Sequence, residues 1–209
     1  MPILNIYYAY RRKPYLKKLD DIIPSDASII SSNCFAGRIM QDRKMAYNSP
    51  TLGLYFMSPD YIEFLQHLEY YLKEAKLEFV EHSKYSIGNE RRNKWKHWYP
   101  IGILGGKVEI HFLHYYTEQE AEEKWYRRAA RVNFEKLYII GMEQNLCTEK
   151  DILDFCKLPY NNKVFFSSKE VCEKDVIFMK EFQHLNQVGD PYKKGHLFYK
   201  YLVQFYQSK

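Results

Sequence analysis

The apolar positions of this chain fall into short blocks of strand length separated by stretches with helical spacing. Residues 28–32 (SIISS), centred on Ile29-Ile30, and residues 51–57 (TLGLYFM), a near-continuous apolar run, read as buried strands. Further strands are predicted over residues 77–81, 137–142 and 163–168. Residues 100–104 and 107–113 flank Gly105-Gly106, a two-residue hairpin signal, and read as antiparallel neighbours. Between these blocks the period changes. Residues 36–43 read as a short helix, and Ser58-Pro59-Asp60 as a helix start, with Ile62, Phe64, Leu65, Leu68, Tyr71 and Leu72 on one face. Thr117-x-x-Glu120 opens a capped helix to about residue 131, and residues 148–158 a second one. Residues 173–188 and 196–207 read as two C-terminal helices separated by Gly189-Asp190-Pro191. Residues 83–97 are charged and apolar-poor and read as a surface loop; residues 11–18 read as a basic segment, either a solvated lead-in helix broken at Pro14 or a contact for anionic lipid. Strands alternating with helices give an α/β class: a single-domain layered mixed sheet, largely parallel, flanked by helices and carrying one hairpin.

Composition narrows the function classes. With 209 residues and 46% hydrophobic content the chain builds one sizeable core. Aromatic residues, at 17%, exceed what a core needs, leaving rings for stacking on a ligand. A formal charge of +5 suits phosphate-bearing small molecules or an anionic membrane surface, and no Arg/Lys-rich nucleic-acid module accompanies it. The four cysteines show no CxxC pair and no zinc spacing, so neither metal nor cofactor is expected and a reduced cytoplasmic chain fits. Near the N-terminus Arg11-Arg12-Lys13 follows the apolar residues instead of preceding them, unlike a secretory signal, and no apolar run is long enough to span a bilayer.

Open α/β sheets bind ligands beyond the carboxyl ends of their strands, which selects Asn33-Cys34, His114, the stretch after Met142, and Ser167-Ser168. Cys34 stands at a strand-to-helix turn closed by Gly37, where backbone N–H groups and the helix dipole bind anions and lower a thiol pKa; the alternative is a small buried packing residue. His114, at a strand end, is a candidate general base, with a loop histidine as the alternative. His111 lies three residues earlier, so the two rings face opposite sides of a strand, and it is either a sheet-face core histidine or a second catalytic group. Asn48 and Ser49, pinned by Pro50, either stabilise a turn or orient sugar hydroxyls. Trp125 and Arg128 share a helix face: Trp125 stacks on a ligand or packs in the core, and Arg128 clamps a phosphate or is solvated.

The words Ile30-Ser31-Ser32-Asn33-Cys34-Phe35-Ala36-Gly37, Tyr47-Asn48-Ser49-Pro50-Thr51-Leu52-Gly53-Leu54, Tyr99-Pro100, Ile110-His111-Phe112-Leu113-His114-Tyr115, Glu120-Ala121 and Lys124-Trp125-x-Arg127-Arg128 resemble the bacterial domain-of-unknown-function family numbered 1919. The resemblance covers roughly residues 29–166, and Ser32 departs from the SNNC-like word of that family. It implies a setting in exopolysaccharide or capsule biosynthesis. Within that setting the residues read as a transferase acting on a sugar-phosphate, nucleotide-sugar or lipid-linked glycan, with Cys34 as nucleophile or anion-site residue and His114 as base. A non-catalytic glycan-binding module and a Cys-His hydrolase are the alternatives.

Overall fold

The structure is a computed structural model that describes residues 3–95 and 98–209. Its elements, in chain order, are α1 (Ile3–Ile22), β1 (Ser28–Ser31), α2 (Phe35–Asp42), α3 (Ser58–Gln66), α4 (Leu68–Lys73), β2 (Leu77–Val80), α5 (Ser86–Trp95), β3 (Ile101–Leu104), β4 (Val108–His111), α6 (Glu118–Ala129), β5 (Leu137–Met142), α7 (Glu149–Lys157), β6 (Lys163–Ser167), β7 (Val176–Phe178) and α8 (Gly195–Gln207), with a short 3-10 turn over Lys180–Phe182.

The chain is α/β, and its strands divide between two sheets. One is fully parallel in the order β1-β5-β6-β7; the other is antiparallel in the order β2-β3-β4. Side-chain alternation makes the parallel sheet the middle layer. Ile30, Leu137, Ile139 and Phe165 face a core shared with α3, α4, α6 and the hairpin, whereas Ile29, Tyr138, Ile140, Val164 and Phe166 face one shared with α1, α2 and α8. Each fully buried large side chain contributes about 1.5–3 kcal/mol, so this two-sided burial is the main source of stability. Gly105 and Gly106 both take positive φ (59° and 70°), which a two-residue hairpin turn requires and which explains why the pair is Gly-Gly. The caps at Thr117 and Thr148 form as the sequence predicts, each hydroxyl accepting an N–H three residues on.

Four segments depart from their sequence-based assignments. Residues 51–57 are not a strand: Gly53 turns the backbone at φ 77°, and only one antiparallel bridge forms, between Tyr55 and His111. This stretch instead joins the two sheets, since Phe56 N–H donates to Ser32 O while Tyr55 and His111 exchange both backbone bonds. Residues 83–97 contain α5, whose start is fixed by Asn89, its Oδ1 accepting from Ser83 N at 2.8 Å and its Nδ2 donating to Ser83 O; positions 96 and 97 lie outside the described residues. Little apolar periodicity marks that helix, which is why it read as a loop. Pro14 sits inside α1 without ending it, because Leu16, Leu19 and Ile22 anchor the helix in the α8 core. Finally, residues 173–188 hold β7 and the 3-10 turn instead of a helix, the Val176-Ile177-Phe178 run pairing with β6.

Gly141, in the middle of β5, lies under the Phe165 ring: a Cβ there would come within 2.2 Å of Phe165 Cδ2. Phe165 is 1% exposed and has no room to swing away. Gly141→Ala is expected to destabilise the fold by roughly 1–3 kcal/mol, read as a lower urea midpoint with an unchanged slope. An unchanged midpoint would show that this layer repacks freely.

Candidate functional site

A cavity of about 730 Å³ opens where the carboxyl ends of β1, β5 and β4 converge. Asn33, Cys34, Phe35 and Arg38 reach it from the β1–α2 turn, Gln144 and Asn145 from the end of β5, Leu113 and His114 from beyond β4, Tyr55 from the segment joining the sheets, and Arg91 from α5. The stretch from Leu185 to Tyr192 closes its remaining side. This is the position expected of a ligand site in an open α/β sheet.

The β1–α2 turn is internally satisfied. Asn33 Oδ1 accepts from Phe35 N at 3.0 Å, and Ser31 Oγ accepts from Ala36 N at 3.0 Å. Two of the helix's leading N–H groups are therefore spent on the turn itself and do not point at a ligand. Asn33 Nδ2 donates to Gln144 Oε1 at 3.0 Å, and Gln144 Nε2 donates in turn to Val188 O and Gly189 O, both at 3.1 Å. This chain of amides fastens the Leu185–Tyr192 stretch to the sheet edge. Ser167 and Ser168, expected at the site from topology, stand behind it: Ser167 Oγ, Ser168 N and Ser168 Oγ all donate to Glu143 Oε2, and Val188 N donates to Glu143 O.

The thiol of Cys34 is the reverse of the expected acidic group. Burial pushes it up to about 12, Asp190 adds to the shift, and Sγ lies 3.6 Å from Leu54 O. The dipole of an eight-residue helix does not offset that desolvation. Cys147 is likewise raised to about 12 and Cys156 to about 11, so no special acidity distinguishes Cys34. Cys34 and His114 line the same cavity.

Positive charge comes from two arginines. Arg91 Nη1 donates to Asn145 Oδ1 at 2.7 Å, with the guanidinium 5.7 Å from the Tyr55 ring centroid. Asn145 is held in turn: its Nδ2 donates to Phe56 O at 3.2 Å, its carbonyl accepts from Ser58 N at 2.8 Å, and its φ of 52° is left-handed. Arg38 lies 4.1 Å from the Tyr192 ring centroid and 3.5 Å from Asp42, and its Nε is buried without a partner. Sequence reasoning missed both, Arg91 because its helix read as loop, Arg38 because it is one basic residue among 31.

The other residues singled out from sequence lie elsewhere. Arg128 Nη1 donates to Tyr115 OH at 2.5 Å and approaches Leu52 O at 3.4 Å, bracing the loop before α3. Trp125 is 1% exposed in the core. Asn48 Nδ2 donates to Asp26 O and its carbonyl accepts from Ser28 Oγ, while Ser49 is fully buried beside Thr51, so both serve the turn. Gly37 faces Leu52. Among the described residues no group of acids, histidines and cysteines could hold a metal.

His111 stands directly behind the cavity wall. Its ring stacks on Tyr55 at 4.4 Å and 11°, Tyr55 OH lies 2.9 Å from Tyr99 OH, and Tyr99 OH lies 3.4 Å from His111 Nδ1. His111 Nε2 is 2.8 Å from Glu109 Oε1 but off the line of an N–H bond, and both side chains are fully buried. Burial raises the Glu109 pKa, but His111, the Ser83 hydroxyl at 2.5 Å and Lys84 N–H at 2.7 Å outweigh it and hold the carboxyl below its ordinary value.

The chain belongs to the family described as domain of unknown function DUF1919, whose model matches residues 7–208, well beyond the 29–166 span that its motifs outline. An uncharacterized protein of Haemophilus influenzae is 37% identical over 180 residues, covering 85% of this chain and 80% of that protein.

Two measurements check this description. Iodoacetamide should leave Cys34 unlabelled in the folded protein near neutral pH while exposed Cys172 reacts; rapid labelling of Cys34 would restore it as a nucleophile. Glu109, with its pKa lowered on folding, contributes stability above the unfolded value of about 4.3, lost as pH falls through the folded value. Glu109→Gln should therefore lower the urea midpoint most near neutral pH, the gap narrowing below about pH 4. A gap independent of pH would remove the charge from this account.

Proposed function

We propose that the chain is a transferase of surface polysaccharide assembly that takes an anionic sugar, a sugar phosphate, nucleotide-sugar or lipid-linked glycan, into this cavity. The observation that carries the reading is the cavity itself: two arginines, four side-chain amides and two tyrosines surround a space of about 730 Å³ at the carboxyl edge of a parallel sheet. Guanidinium groups hold phosphate in a bidentate fashion, amides match sugar hydroxyls, and tyrosine rings cover sugar faces. The polysaccharide setting rests on the resemblance of the sequence words described above.

In the proposed step an acceptor hydroxyl attacks the anomeric carbon of the donor. The new C–O bond forms as the bond to phosphate breaks, the acceptor proton passes to His114, and the departing phosphate keeps the electron pair, its charge met by Arg38 and Arg91. Asp190 is the carboxylate at the cavity and stands opposite this charge as a partner for hydroxyls. A nucleotide-sugar donor places the reaction on the cytoplasmic side of the membrane, and four unpaired cysteines agree with a reducing compartment.

The high pKa of Cys34 favours a second reading over the Cys-His hydrolase, that of a glycan-phosphate binding module without turnover. UDP-glucose incubated with the protein and acceptor glycans separates the two: UDP release that stops in His114→Gln supports transfer, and saturable binding without release supports the module.

Calorimetry tests the ligand class. Glucose 1-phosphate and UDP-glucose should bind more tightly than glucose, and Arg91→Ala or Arg38→Ala should cost roughly ten-fold or more, a charge-assisted contact being worth about 1.5–3 kcal/mol. Arg91→Lys should recover only part, and Arg128→Ala should lower the melting temperature while sparing affinity. Equal binding of glucose and its phosphate, or no binding of any of the three, would overturn the anionic-sugar reading.

A further inference from the structure

The outward face of α1 is built unlike a merely solvated surface. Toward α8 the helix buries Arg12 and Leu19 and packs Tyr15, Leu16 and Ile22. On the opposite side Ile6, Tyr7 and Tyr10 are 57%, 50% and 70% exposed, and Arg11, Lys13, Lys17 and Lys18 are exposed with them. Helical spacing sets these residues in two adjacent rows, Ile6-Tyr10-Lys13-Lys17 and Tyr7-Arg11-Pro14-Lys18. None of the four cations is paired with a carboxylate among the described residues; Arg11 Nη1 donates to the Tyr7 hydroxyl at 3.3 Å.

The positive surface continues onto the start of α8. Lys193 and Lys194 are exposed, and burial together with Arg11, Lys194 and Arg12 lowers the pKa of His196, so these charges converge on one spot. Lys193 follows directly on Tyr192, which lines the cavity. Rings at headgroup level with cations against phosphates are the composition of a helix lying on a membrane surface, and among the described residues no helix is long and apolar enough to cross one.

We propose that this face, Ile6, Tyr7 and Tyr10 with Arg11, Lys13, Lys17, Lys18 and Lys194, docks the protein on an anionic lipid bilayer. The cavity edge at Tyr192 then lies beside the lipid surface, where a lipid-linked glycan phosphate would be met; that consequence, unlike the docking, rests on the anionic-sugar reading. Each cation near an anionic leaflet multiplies partitioning by roughly five-fold, so the five act together as one substantial anchor, weakened by salt.

Sedimentation of the full chain with vesicles tests the docking. Binding is expected to phosphatidylcholine vesicles containing about 30 mol% phosphatidylglycerol, not to phosphatidylcholine alone, and to fall steeply in about 0.5 M salt. The triple variant Lys13→Glu, Lys17→Glu, Lys18→Glu should lose roughly 100-fold or more, and Tyr7→Ser with Tyr10→Ser about ten-fold, with thermal melts confirming that both fold. No binding to the anionic vesicles, or binding that survives charge reversal, would overturn the proposal. So would an equal preference for a DNA oligonucleotide lost in the same triple variant, which would mark a general polyanion surface. UDP-glucose titrations of the triple variant separate the two ideas: intact sugar binding with lost vesicle binding leaves each standing, lost vesicle binding in the unaltered chain defeats only the docking, and lost sugar binding in the unaltered chain defeats only the cavity reading.

Discussion

The arrangement depends on a stretch of backbone that belongs to neither sheet. Between Gly53 and Phe56 the chain is bonded on both sides: Phe56 N–H donates to Ser32 O at the end of β1, and Tyr55 exchanges a pair of bonds with His111 at the end of β4. Gly53 O accepts from His114 N, and Tyr115 OH donates to Leu52 O. The parallel sheet and the antiparallel sheet are thus held with the carboxyl ends of β1, β5 and β4 facing a common space. Without that seam, Asn33 and Cys34 on one side and His114 on the other would have no reason to line one cavity. The left-handed φ of Gly53, beside the Tyr115 ring, lets the chain leave one sheet and meet the other within a few residues.

Given that frame, what the cavity can recognise is decided by how its charges are held. A helix N-terminus is often the anion site in such folds, but here Ser31 and Asn33 have already taken two of the leading N–H groups. Positive charge falls to Arg38 and Arg91 instead. Arg91 is constrained by an amide whose own backbone is left-handed and by the ring beneath it, so little freedom remains to be lost on binding. The neighbouring thiol, by the same burial that shapes the wall, is kept protonated. The positive charge at the cavity therefore comes from guanidinium groups, and the buried thiol adds no negative charge to it.

Much of this was legible in the sequence, and the failures share a physical origin. Apolar runs located β1, β2, β5 and β6, the Gly-Gly pair located the hairpin, and the carboxyl-end rule selected Asn33-Cys34, His114 and the stretch after Met142 as the site's neighbourhood. Local pattern is enough for such features because each follows from burial or turn geometry within a few residues. Residues 51–57 looked like a strand because they are buried, yet their partners lie in two sheets, a fact carried by no residue of the segment. Arg91 was hidden for the opposite reason: its helix is secured by Ser83 and Asn89 and not by an apolar stripe. Arg128 drew notice as a cation sharing a helix face with Trp125, but charge alone does not tell a ligand contact from a brace, and Tyr115 claims it.

The buried pair behind the wall bears on why the site is shaped as it is. Placing Glu109 and His111 together at zero exposure carries a desolvation cost that an apolar pair of similar volume would avoid, so stability alone does not account for them. Their geometry supplies a different account. Glu109 is fixed by Ser83 and by the Lys84 N–H, which ties it to the turn leading into α5, the helix that carries Arg91. His111, beside Glu109 on the same face of β4, stacks on Tyr55, and Tyr55 in turn lies beneath Arg91. Gly88 on α5 makes the approach close enough, since a Cβ there would come within 2.8 Å of the His111 ring. The pair therefore locks the helix bearing the arginine to the strand supporting its aromatic floor, and a costly interaction in the core becomes the positional control of a charge at the cavity.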